Sequence, residues 1–90
     1  MNNEIHVYCM PGMAANSKIF EYIRLPKQYK IILLDWIDPK KDESLQSYVS
    51  RLSEKVTHEQ PVLIGVSFGG IIVQEMSKLI SAKKVIIISS

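Results

Sequence analysis

Ile5–Cys9, Ile31–Leu34, Val62–Val66 and Val85–Ile88 are four short runs rich in valine, isoleucine and leucine. Each is too short to be a helix of its own. None shows the sustained polar alternation of a strand with one wet face. Both faces of each run are therefore expected to be buried, which is the signature of a parallel sheet covered on both sides.

The segments between the runs carry helical spacing. Ile19, Phe20 and Ile23 share a face after a cap at Asn16 or Ser17. Leu45, Tyr48, Val49, Leu52 and Val56 recur at i, i+3, i+4, i+7 and i+11. Gln46, Ser47, Arg51, Glu54 and Lys55 lie opposite, and Ser44 is placed to cap. Ile71, Ile72, Val73, Met76, Leu79 and Ile80 form a third pattern whose wide apolar arc predicts the most buried helix. The order β-α-β-α-β-α-β requires parallel strands joined by right-handed crossovers. The expected fold is α/β, a three-layer αβα arrangement on a four-stranded parallel sheet, with residues 1–90 as one domain. The only irregular stretch is the polar loop Asp35–Glu43, broken by Pro39.

A chain of 90 residues holds one small domain, and at this size it buries about 60–65% of the surface its unfolded form exposes. Charged residues make up 22% and the net charge is +2, with lysines scattered rather than striped, so no nucleic-acid surface is expected. Cys9 is the sole cysteine, which excludes an internal disulfide and fits a reducing compartment. Met1-Asn2-Asn3-Glu4 does not open a signal peptide, and no apolar run is long enough to span a membrane. The expected location is cytoplasmic.

Chemistry concentrates in Gly65-Val66-Ser67-Phe68-Gly69, a G-x-S-x-G motif. Three fixed positions match by chance in about 3% of chains this long, so the motif's position has to carry the argument. It stands directly after a buried strand and directly before a buried helix, where a nucleophile at the tip of a strained turn needs glycine two residues before and two after it. The helix that follows aims its free N–H groups at the same place, favouring developing negative charge. Two other readings compete. The glycines can serve a tight βα turn for packing alone. Gly65, Ser67 and Gly70 also mimic a G-x-G-x-x-G dinucleotide turn, but that motif wants an acid about twenty residues on, and Val85–Ser90 contains none.

A second turn, Met10-Pro11-Gly12-Met13, ends the first run. A strand closed by a Pro-Gly or His-Gly turn, followed by helix, strand, helix, strand and a G-x-S-x-G elbow, resembles the α/β-hydrolase fold. The resemblance spans essentially the whole chain, matching the family's third to sixth strands, with Pro11 in place of the commoner histidine. It implies a spatial strand order of second, first, third, fourth. It implies Ser67 as nucleophile and the backbone N–H groups of Phe68 and Met13 as the oxyanion hole. Gly65, Gly69 and Gly12 are then the elbow and turn glycines, and Asp35, at the end of the second run, is a pocket-lining residue. No cofactor or metal is implied.

A serine nucleophile needs a base, and in this fold the acid and histidine follow the nucleophile in the chain. His6 and His58 both precede Ser67 and fall at the opposite end of the sheet. Cys9 reads as packing rather than as a rival nucleophile. The expectation is therefore the N-terminal portion of a longer serine hydrolase that cleaves a small-molecule ester or thioester through an acyl-Ser67 intermediate. Without a base the 90 residues are expected to be inactive and to self-associate through an exposed sheet edge. The alternative is a non-catalytic α/β binding module that keeps the elbow as a structural turn.

Overall fold

The computed structural model describes residues 4–12, 20 and 23–88. Four strands, β1 (Ile5–Met10), β2 (Tyr29–Leu33), β3 (Val62–Val66) and β4 (Lys84–Ile88), form one sheet in the order β2-β1-β3-β4. All three pairings are parallel. Helix α1 (Leu45–Ser53) joins β2 to β3, and α2 (Phe68–Met76) joins β3 to β4. Most of the first helical pattern, including the cap at Asn16 or Ser17, lies outside the described residues, as does Met13.

Side chains alternate across the sheet. Tyr8, Met10, Leu34 and Leu63 face α1 and α2, packing with Tyr48, Val49, Leu52, Ile72, Val73 and Met76. Val7, Cys9 and Val62 face the other way, where Phe20, from the connection between β1 and β2, lies over them. Right-handed crossovers demand this division. A connection running from β1 toward β2 must pass over one face, and connections running back toward β3 and β4 over the other.

The expectation that every strand is buried on both faces holds only for the centre. β1 and β3 are largely buried, whereas Leu33 of β2 and Ile87 and Ile88 of β4 are exposed. The reason is position, since β2 and β4 form the edges of the four-stranded order. The helices also end earlier than their periodicity. Beyond α1, the N–H groups of Glu54, Lys55 and Val56 bond to carbonyls three residues back. Beyond α2, those of Lys78 and Leu79 do the same. Tightened final turns of this kind shift the phase of the side chains, so Leu79, expected on the buried arc, is 60% exposed. α2 is nevertheless the more buried helix, with Gly69, Gly70, Ile72, Val73 and Met76 inside against Tyr48, Val49 and Leu52 of α1.

Candidate functional site

β1 leads away toward β2, while β3 leads away toward β4. Between their C-terminal ends the chain reverses direction, and a crevice opens there in sheets of this type. Ser67 occupies that point. It follows β3 directly and precedes α2 directly, with φ 56° and ψ −124°. This is one of three positive-φ non-glycine residues described, the others being Asp42 and Gln60. A serine held there is strained by roughly 1–3 kcal/mol and persists because its surroundings fix it. The Ser67 N–H donates to the Ile88 carbonyl at 2.8 Å, tying the elbow to β4, and Gly70 N–H closes the turn onto Ser67 O at 2.9 Å. The Ser67 side chain is exposed and caps nothing in the helix.

The flanking glycines are demanded by backbone, not by side chains. A Cβ on Gly65 would overlap the carbonyl oxygen of Gly69. A Cβ on Gly69 would come within 2.5 Å of both the Met10 and Pro11 oxygens. The elbow is thus wedged against the end of β1. Gly12, buried, sits beside the serine, and a Cβ there would lie 3.4 Å from the Ser67 Cβ. The N–H of Phe68, first residue of α2, has no backbone acceptor among the described residues, as expected for a first helical turn. It stays available to an anion at the head of the helix. The second donor expected from the sequence, Met13, falls outside the described residues.

Beside the elbow lies a cleft of about 560 Å³ between the β2–α1 loop and the start of α2. Its walls include Trp36, Ile37, Leu45, Tyr48, Phe68 and Ile72. Trp36 joins the parts together. Its indole N–H donates to the Gly12 carbonyl at 2.8 Å, and its ring stacks on Phe68 with centroids 5.7 Å apart and planes 8° from parallel. The Tyr48 hydroxyl accepts from Ile37 N–H at 2.9 Å and donates to Ile37 O at 2.8 Å, pinning the loop. Burial raises its phenol above the usual value. At the rim, Arg51 grips Glu43 through two hydrogen bonds of 2.7 Å and reaches Asp38 O at 2.9 Å. That guanidinium, with the Lys40 N–H, lowers the Glu43 carboxyl to about 2.

Asp35, expected to line the pocket, is exposed and does not reach this cleft. Leu34 and Trp36 on either side of it pack toward α1 and α2, and the alternation of an extended chain turns Asp35 away from them. The two histidines meet each other rather than the serine. Their rings stack at 3.5 Å, and Tyr8 Oη lies 2.7 Å from His58 Nδ1. His6 precedes the end of β1 by four residues, about 13 Å along a strand. Cys9 is buried in the sheet, and burial pushes its thiol up to about 11, which suits packing and not nucleophilic attack. Among the described residues no cluster of three or more metal-ligating side chains forms, and no helix is long and apolar enough to cross a membrane.

No protein-family model matches this sequence, and no curated protein matches it. Sequence reasoning missed the aromatic cleft because Trp36, Tyr48 and Phe68 come from a loop and two different helices. The signal within reach was the tryptophan two residues beyond the second apolar run, at the same sheet edge as the elbow.

Proposed function

We propose that this chain carries the nucleophile half of a serine hydrolase of α/β-hydrolase type, acting on a small-molecule ester or thioester. The observation that carries the reading is the exposed Ser67, held at φ 56° and ψ −124° between β3 and α2. A strained turn is not required for packing two elements, but it does present a hydroxyl to a ligand at the crevice.

In the proposed reaction the Ser67 Oγ attacks the acyl carbon, and its proton passes to a base. The carbonyl oxygen takes the negative charge and is met by the Phe68 N–H and a second donor from the Gly12–Met13 turn. The alcohol or thiol leaves with the proton, and water then releases the acid from Ser67. Each oxyanion donor in such sites is worth about 3–4 kcal/mol of barrier. The base is not His6 or His58, which stack on one another away from the elbow. The proposal requires a histidine from outside these 90 residues, in further chain or in a partner. The lone, buried Cys9 favours a cytoplasmic setting.

The test is to treat the full-length protein with a fluorophosphonate probe and locate the adduct by mass spectrometry. Labelling of Ser67, absent in Ser67→Ala, is expected. A folded protein that resists the probe would reduce the elbow to a structural turn in a binding module.

A further inference from the structure

We infer that the cleft walled by Trp36, Tyr48 and Phe68 is the seat of an uncharged, apolar acyl chain of medium length, so that the substrate is a neutral aliphatic ester or thioester. The assignment of that group to a substrate rests on the hydrolase reading above; the cleft's preference for it rests on the walls alone. Ile37, Leu45 and Ile72 line it with the three rings, and Asp38, Pro39, Glu43 and Ser44 make up the rest of the wall. The volume of about 560 Å³ lies within the range of small-molecule sites.

Three observations fix the chemistry. First, the carboxylate of Glu43 is consumed by Arg51, whose guanidinium binds both of its oxygens. The guanidinium is therefore not free to select an anionic ligand. Second, the polar groups of the ring walls are already satisfied. The Trp36 N–H is bonded to Gly12 O, and the Tyr48 hydroxyl both donates to and accepts from Ile37. Those ring and aliphatic walls offer a polar ligand no compensating bond, and the Asp38 carboxylate in the lining opposes an anionic one. Third, the cleft adjoins the elbow, because Phe68 is at once a wall and the residue after Ser67. A chain lying on Trp36 and Phe68 would therefore have its carbonyl end at the head of α2, beside the Phe68 N–H.

Trp36 is the sole tryptophan of the sequence and serves as the reporter. The experiment titrates the full chain with 2-decanone, a neutral and non-hydrolysable probe, while following Trp36 emission. A saturable change is expected. Leu45→Glu places a charge on an exposed wall residue and should weaken the apparent affinity at least tenfold. Leu79→Glu, an exposed site beyond the C-terminal end of α2 and outside the cleft, should not alter it. Circular dichroism checks that Leu45→Glu is folded, and Leu45→Gln, expected to weaken binding several-fold, serves if it is not. Ser67→Ala should bind as the parent does. Binding in Ser67→Ala with no fluorophosphonate labelling of the parent would keep the cleft and remove the hydrolase. The idea is overturned by an absence of saturable response, by equal response in Leu45→Glu, or by equal affinity for decanoate. It is also overturned if emission varies with protein concentration alone, since a second chain would then occupy the cleft.

Discussion

Gly65, Gly69 and Gly70 lie within six residues, yet the structure asks different things of each. At Gly65 and Gly69 the obstruction to a side chain is backbone, from the elbow itself and from the end of β1. At Gly70 it is the Cγ2 of Ile87 at 2.6 Å, the tip of an edge-strand side chain that can turn. At Gly12 nothing lies closer than 3.4 Å. Alanine at 65 or 69 has to displace the turn and should cost about 3 kcal/mol or more, the upper end of overpacking penalties. Gly70→Ala should cost about 1 kcal/mol, and Gly12→Ala less. Urea midpoints of the four variants give the order directly; an equal loss at all four positions would contradict a backbone-wedged elbow. The motif was legible in the sequence because these glycines obey local sterics. That Gly69 also rests on Met10 and Pro11 was not, since that contact depends on how β1 and β3 pair.

Strands were easier to read than helix ends, for a physical reason. A strand buried between layers keeps apolar residues along its whole length, and β3 matches its run at Val62–Val66. β2 and β4 reach further toward their N-termini than their runs, because ladder pairing recruits Tyr29 and Lys30 opposite Ile5 and His6, and Lys84 opposite Val62. Pairing is satisfied by backbone and ignores the side chain. The polar loop before α1 is held by a small set of directed bonds, among them the cap expected at Ser44. Ser44 caps the Ser47 N–H at 3.1 Å, and Glu43 takes both Ser47 Oγ and the Arg51 guanidinium. Because the folded Glu43 carboxyl lies near 2 against an ordinary 4.5, the unfolded chain binds its proton first as pH falls. The stabilisation from Glu43 is thus full above about pH 4.5 and is lost as pH drops toward about 2. In Glu43→Gln this part of the acid dependence should disappear while the rest persists. Trp36 emission between pH 5 and 2 follows it, since the loop carries Trp36; an unchanged acid profile in the variant would show that the Arg51 pair does not hold the loop.

At the scale of the molecule the two sheet edges differ, and the difference sets how chains should meet. β2 carries Lys30, paired with Glu4 at 3.4 Å, and a charged side chain along an edge discourages a second strand from docking. β4 starts with Lys84 but continues as Val85-Ile86-Ile87-Ile88, with Ile87 and Ile88 each 45% exposed. Among the described residues nothing pairs with its outer side. An apolar edge with unpaired N–H and C=O groups is a template for another chain. The 90 residues on their own should therefore associate through β4, with a size that grows with concentration. Ile88→Lys adds a charge at the exposed end of β4 while leaving intact the backbone carbonyl that receives the Ser67 N–H. It should raise the dissociation constant at least tenfold in sedimentation velocity. Lys30→Ile should act in the opposite sense by baring the second edge. A concentration-independent monomer, or association indifferent to residue 88, would place the contact elsewhere than on this edge. Because Ile88 O accepts the Ser67 N–H, the same experiment reads the elbow as well: if pairing at β4 steadies the strand, amide exchange at Ser67 should slow with association in the parent chain and not in Ile88→Lys.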